Sequence, residues 1–189
     1  MATDVAAVIL AAGEGTRLKS RLPKVLHAVA GMPMIGWSVR AARDVGCSPV
    51  LLVVGSGADQ VRRAVGGDAL FAHQAERLGT AHAVLQAKAE LKGRSSAVLV
   101  LYGDMPLLQA DTLRHLLALH QEKQPVISML TVCSSDSMGF GRVVRDASGA
   151  IHEVIEEVDA SPAVLAIEEL NCGVYCFDAD WLWARITDV

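Results

Sequence analysis

The sequence predicts an α/β domain: a mostly parallel central sheet flanked by helices, with antiparallel additions in the C-terminal half. Apolar runs recur after helical patterns, as they do when strands buried on both faces alternate with covering helices. Small-residue turns follow two of those runs, at Ala11-Ala12-Gly13 and Gly55-Ser56-Gly57. Beyond Val132 the pattern changes to hairpin-like pieces. A chain of 189 residues is long enough for one well-buried core and short for two independent domains.

Taken in order, strands are expected at Val5–Leu10, Val50–Val54, Leu70–Ala72, Ala97–Tyr102 and Pro125–Val132. Between them, helices are expected at Met34–Val45, Ala58–Val65, Thr80–Leu91 and Asp111–Glu122. Pro33 suits a first helical turn and Gly46 a helix end. Gly79-Thr80 opens the third helix, and the Asp111 side chain is placed to act at the start of the fourth. Further on, Gly141–Arg145 and Ala150–Ile155 flank the turn Asp146-Ala147-Ser148-Gly149, and Leu170–Phe177 reads as another strand. Asp178 starts a short helix carrying Trp181 and Trp183.

Ligands of open α/β sheets sit beyond the carboxyl ends of the strands, so the loops there carry the functional reading. The first is Ala11-Ala12-Gly13-Glu14-Gly15-Thr16-Arg17-Leu18, which runs on to Leu22-Pro23-Lys24. Small side chains let backbone N–H groups close on an anion, and Arg17 and Lys24 can neutralise it. A phosphate-bearing ligand, a nucleoside triphosphate, is expected. The segment has no Walker spacing, and Leu18 stands where a dinucleotide fingerprint needs a third glycine. By glycine spacing alone it is equally a tight strand-to-helix turn. Asp104 directly follows a buried strand, where a hard carboxylate suits Mg²⁺ shared with substrate phosphates; a turn aspartate fits the same position. The Gln74 amide offers the donors and acceptor that reading a uracil edge requires, ahead of a helix start at Gly79.

Composition excludes several classes. The net charge of −4 argues against a general nucleic-acid binder, which needs a basic face. No apolar run approaches the length of a membrane span, and no basic-then-apolar leader opens the chain, so a cytoplasmic location is expected. Cys47, Cys133, Cys172 and Cys176 have no zinc or redox spacing; Cys172 and Cys176 are expected on one strand face in a reduced core. The six histidines form no His-Glu-x-x-His pattern, and no Ser/His/Asp set supports a covalent hydrolase.

The string Leu10-Ala11-Ala12-Gly13-x-Gly15-Thr16-Arg17-Leu18, followed by Leu22-Pro23-Lys24-Val25-Leu26, resembles the signature of sugar-1-phosphate nucleotidyltransferases. Within that family it is similar to the N-acetylglucosamine-1-phosphate uridylyltransferases. Tyr102-Gly103-Asp104-x-Pro106-Leu107 and Gln74-x-x-x-Leu78-Gly79-Thr80-x-His82-Ala83 match further family strings, as do Gly139-Phe140-Gly141-Arg142, Ile155-Glu156-Glu157-Val158-Asp159-Ala160 and Glu169-Leu170-Asn171-Cys172-Gly173. The resemblance implies a Rossmann-like nucleotidyltransferase fold, with UTP and N-acetylglucosamine 1-phosphate as substrates and Mg²⁺ as cofactor. It implies Arg17 and Lys24 as the catalytic cations, and Asp104 as the metal ligand. Nucleotide contacts fall to Leu10, Ala11, Ala12, Gly13, Gln74, Gly79 and Thr80, and sugar contacts to Tyr102, Gly103, Gly141, Glu156 and Asn171.

Two positions depart from the family pattern: Val158 stands where a lysine is usual, and Cys172 replaces a hydroxyl residue. The family's second metal ligand, a downstream asparagine, has no counterpart in these residues. The expectation is therefore one C-terminally truncated nucleotidyltransferase domain over 1–189, with a nucleotide lobe at 1–132 and part of a sugar lobe at 133–189. The resemblance also implies a full-length homotrimer assembled through a further C-terminal domain, with no nucleic-acid or membrane partner. Glucose 1-phosphate with UTP, dTTP or ATP, or a catalytically silent nucleotide-binding module, remain the competing readings.

Overall fold

The computed structural model describes residues 4–13, 15 and 18–188. In chain order the elements are β1 (Val5–Ala11), β2 (Ala28–Val29), β3 (Met32–Pro33), α1 (Met34–Asp44), β4 (Val50–Val54), α2 (Ala58–Val65) and β5 (Leu70–His73). They continue with α3 (Thr80–Leu85), α4 (Lys88–Leu91), β6 (Ala97–Tyr102), α5 (Ala110–Lys123) and β7 (Ile127–Cys133). The remainder are β8 (Arg142–Arg145), β9 (Ile151–Ile155), α6 (Pro162–Leu165), β10 (Glu169–Asp178) and α7 (Ala179–Arg185). The mixed α/β fold with a mostly parallel sheet is as expected.

The chain divides into two compact units, residues 1–128 with 175–189, and 129–174. In the first, the strand order is β5-β4-β1-β6, all parallel, closed by the last residues of β10 antiparallel to β6. Every residue of β1 and β4 is buried, so these two strands read as unbroken apolar runs, the mark of a sheet covered on both faces. Ala6, Val8 and Leu10 pack in one cluster with Val84 and Leu91 of α3 and α4 and with Leu182 and Trp183 of α7. The second unit holds the β8–β9 hairpin, paired through Arg142 to Leu170 of β10. The lobes expected to meet at 132/133 and the compact units are thus not coextensive. Residues 175–186 return to the first unit because Cys176, Ala179, Leu182 and Trp183 are buried there.

Helix ends follow local chemistry. Gly46 has φ +84°, and Cys47 N donates to Ala42 O at 3.1 Å, the left-handed closure that ends α1. Asp178 caps α7 by accepting from Trp181 N at 2.7 Å. Several expectations are corrected. Pro33 precedes α1 as its N-cap rather than lying in the first turn. Thr80–Leu91 is not one helix: at Gln86 and Ala87 the backbone bonds tighten to the third residue back, separating α3 from α4. Asp111 does not cap α5; Gln109 holds that position, and Asp111 pairs with Arg114 one turn on. Cys172 is half-buried rather than in the core. Two short elements were not expected, the β2–β3 hairpin and α6. Burial pushes the Cys47 and Cys176 thiols up to about 12. Among the described residues no helix is long and apolar enough to cross a membrane.

Candidate active site

A cleft of about 710 Å³ opens in the first unit at the carboxyl ends of β1, β5 and β6. Leu10, Ala12, Gly13 and Gly15 line one side, with Lys24. Gln74, Arg77, Gly79 and Thr80 bring the β5–α3 loop to it, and Tyr102 and Asp104 bring the end of β6. Segments scattered over the sequence from Leu10 to Asp104 therefore converge, because parallel strands deliver successive loops to one edge.

Lys24 is held by local packing. Gly15 has φ +61°, and a Cβ added there would stand 2.5 Å from Lys24 Cβ, so the lysine stem lies directly on the glycine. Lys24 opens a single 3₁₀ turn anchored by buried Val25. The glycines after β4 support both ends of the loop: a Cβ on Gly55 would meet Ala12 O at 3.0 Å, and one on Gly57 would meet Pro23 Cγ at 2.7 Å. Gly55-Ser56-Gly57 thus turns β4 into α2 and packs against the first loop. Lys24 Nζ forms an ion pair with Asp104 Oδ2 across the cleft.

The end of β6 is fixed from behind. Gly103 N donates to Leu10 O at 2.9 Å, extending the β1–β6 ladder, and buried Ser38 of α1 donates its hydroxyl to Tyr102 O at 3.0 Å. A Cβ on Gly103 would stand 2.6 Å from Ile35 Cδ1. Helix α1 therefore approaches Gly103 closely from behind, and the residues lining the cleft include neither Gly103 nor Ala11. Gln74 is buried at 4 % exposure, and its Nε2 lies 3.3 Å from Gly79 O and 3.0 Å from His82 Nδ1. Thr80 Oγ1 lies 3.4 Å from the Tyr102 hydroxyl. Arg77 was not singled out in the sequence, yet it gives the cleft a second described cation. Its position three residues after Gln74, within a matching string, was the available signal. Arg17 lies outside the described residues.

In the second unit, Gly141, Glu156 and Asn171 come together. Gly141 O accepts from Asn171 N at 2.9 Å, and a Cβ on Gly141 would stand 3.5 Å from Glu156 Oε2. Asn171 Oδ1 accepts from Gly173 N at 3.0 Å. Arg142, 3 % exposed, gives two hydrogen bonds of 3.1 Å to Glu157 Oε2. Bonds from Ser137 and Arg142 hold the Glu157 carboxyl below the usual range. Arg145 and Glu169 form a bidentate pair at 2.7 Å, which depresses the Glu169 carboxyl. Val158 is 90 % exposed, so the departure from lysine there leaves no buried group unpaired.

Among the described residues no group of three or more His, Cys, Asp or Glu converges to hold a metal. A lone carboxylate facing an open cleft fits Mg²⁺, which keeps waters and substrate phosphates as ligands, and does not fit an all-protein cage.

A family model described as the MobA-like NTP transferase domain matches residues 7–166. The bifunctional protein GlmU of Pelotomaculum thermopropionicum is 51% identical over 186 residues, which is 98% of this chain and 41% of that protein. GlmU of Geotalea daltonii is 46% identical over 187 residues, again 98% and 41%. The chain thus spans about two fifths of the length of the curated relatives it matches. Among solved structures, a UDP-glucose pyrophosphorylase complexed with UDP-glucose superposes with a TM-score of 0.77 at 16% identity, covering 99% of this chain and 80% of that one. A CMP:2-keto-3-deoxy-manno-octonic acid synthetase complexed with CTP gives 0.75 at 19%, covering 98% and 78%.

Proposed function

The chain belongs to the MobA-like NTP transferase domain family, and from that premise we propose that its cleft binds UTP. The reaction proposed is transfer of UMP to N-acetylglucosamine 1-phosphate, giving UDP-N-acetylglucosamine and pyrophosphate. The observation that carries this reading is the convergence of Gly13, Gly15, Lys24, Gln74, Gly79, Thr80, Tyr102 and Asp104 on one cleft. The likeness to GlmU proteins over 98% of this chain supports the choice of substrates.

A phosphate oxygen of the sugar phosphate attacks the α-phosphorus of UTP; that P–O bond forms as the bond to the β-phosphate oxygen breaks, and pyrophosphate leaves. The nucleophile is already anionic near neutral pH, so no general base is needed. The work reduces to alignment and charge neutralisation. Small residues at Ala12, Gly13 and Gly15 admit the triphosphate close to main chain, and Lys24 neutralises its oxygens. Arg17 takes a second phosphate contact in this reading. Gln74 and Gly79 receive the base, with Thr80 beside them. Asp104 would hold Mg²⁺, which when bound neutralises charge on the triphosphate and sugar phosphate. In this reading Gly141, Glu156 and Asn171, clustered in the second unit, supply sugar contacts.

The test is Mg²⁺-dependent pyrophosphate release across UTP, CTP, dTTP and ATP, each with N-acetylglucosamine 1-phosphate and glucose 1-phosphate. The expected result is the highest kcat/KM for UTP with the amino sugar, abolished by chelation. Preference for glucose 1-phosphate would replace the sugar assignment. Nucleotide binding without release under any pairing would replace the enzyme by a sensing module.

A further inference from the structure

The geometry around Gln74 determines which of its amide atoms is free. Gly79 O can only accept, so the Gln74 atom 3.3 Å from it has to be the nitrogen, whichever way an amide is first drawn. That nitrogen has two N–H bonds. One goes to Gly79 O, and the other points at His82 Nδ1, 3.0 Å away. His82 Nδ1 must therefore accept, which puts the proton of the neutral ring on Nε2.

The other side of the ring is consistent only if Gln86 yields. Gln86 Nε2 is placed 3.1 Å from His82 Nε2 and 3.0 Å from His82 O. A neutral imidazole cannot accept on both nitrogens. Gln74 is 4 % exposed and cannot trade its bond for water, whereas Gln86 is only partly buried at the end of α3. Gln86 therefore keeps its N–H bond to His82 O and is the group that yields at the ring, shifting off His82 Nε2 so that the Nε2–H is left to water on the partly exposed side of α3. With both Gln74 N–H bonds used, its Oε1 is left as an acceptor. Among the described residues no donor reaches that oxygen, and Gln74 lines the cleft.

We infer that His82 is a positioning residue for base selection: by accepting at Nδ1 it fixes the Gln74 amide so that the pocket offers an acceptor. An acceptor there favours a base edge with a ring N–H, as in uracil N3–H, and disfavours cytosine, whose N3 carries a lone pair. The inference rests on the reading of this cleft as a UTP site. His82 does not touch the nucleotide in it; the ring acts through Gln74.

Two measurements test it on the whole chain. In ¹⁵N-resolved NMR the His82 ring is expected as the Nε2–H tautomer near neutral pH; the Nδ1–H tautomer would overturn the inference without any ligand present. Dissociation constants for UTP and CTP then measure selection. His82→Leu removes the acceptor, lets the Gln74 amide turn, and is expected to lower the UTP-over-CTP preference about tenfold, the worth of one hydrogen bond. His82→Asn, whose side-chain oxygen sits where Nδ1 does, is expected to restore it. A purely structural role predicts that both variants weaken UTP and CTP alike, and that result would overturn the inference. If the wild-type chain binds UTP no better than CTP, the nucleotide reading itself fails. If it prefers UTP and His82→Leu keeps that preference, only the role of His82 fails.

Discussion

At Gly15 the backbone is left-handed, φ +61°, and the space a methyl group would need is filled by the stem of Lys24. A left-handed alanine costs on the order of 1–2 kcal/mol in conformation alone, and here it also pushes Lys24 off its place. Gly15→Ala is therefore expected to lower turnover nearly as far as Lys24→Ala while the far-ultraviolet circular dichroism stays native. Lys24→Ala itself should reduce kcat about a hundredfold or more, the usual effect of deleting one well-placed charge-stabilising donor. Steady-state pyrophosphate assays with parallel urea melts separate the two quantities. Equal losses of activity and stability in Lys24→Ala would remove it from the chemistry, since its side chain is 42% exposed and its ion pair with Asp104 is not a buried one. Most residues of this cleft were legible from the small residues and cations of the first loop and from the family strings around Gln74 and Asp104. The use of Gly103 was not, since its neighbour Ile35 lies far away in sequence and only packing brings the two together.

Between elements, the contact of α5 with β7 carries a pH dependence. His120 is 8 % exposed, and its Nδ1 lies 2.9 Å from Ser128 Oγ. Burial holds its ionisation below the ordinary value of 6.5, against an opposing pull from Asp178. The unfolded chain then binds a proton before the folded one does, so this contribution to stability is complete above about pH 6.5 and is lost as pH falls through the folded value. The urea midpoint is expected to drop between pH 7.5 and pH 5.5, and His120→Gln should flatten that part of the curve. A drop of the same size in the variant would assign it to other groups. The principal strands and helices of this layer were readable because β1, β4 and β6 are apolar runs and Gly46 and Asp178 are chemically suited helix ends. The missed pieces are short. The β2–β3 turn needs Ala30 at φ +50° beside Gly31 at +82°, and alanine gives no sign of that conformation. The first turn of α6 was marked by Ser161, whose hydroxyl accepts from Val164 N at 3.4 Å, and by Pro162. With only four residues, α6 is too short to show a helical apolar period that would have distinguished this cap from a turn.

For the whole molecule, the proposed function predicts a division of labour between the two compact units, which kinetics can test. Gln74 and Lys24 belong to the first unit, whereas Gly141, Glu156 and Asn171 belong to the second. Hairpin periodicity alone showed where the second unit's strands lie. It could not show that Gly141 O would accept from Asn171 N, because that bond joins β10 to residues well before it in the chain. Glu156 is exposed and makes no ion pair among those described, so truncating it leaves no buried charge behind. A hydrogen bond from a sugar hydroxyl to a carboxylate is worth about 1.5–3 kcal/mol, roughly a ten- to hundredfold change in affinity. Glu156→Ala is therefore expected to raise KM for N-acetylglucosamine 1-phosphate by that factor while KM for UTP stays within about twofold. Asn171→Ala is a weaker probe, because its Oδ1 also holds Gly173 N and its loss disturbs β10. Gln74→Ala should show the reverse pattern, with the nucleotide constant moving and the sugar constant held. If Glu156→Ala shifts both constants together, or neither, the second unit does not carry the sugar contacts and the cleft of the first unit must account for both substrates.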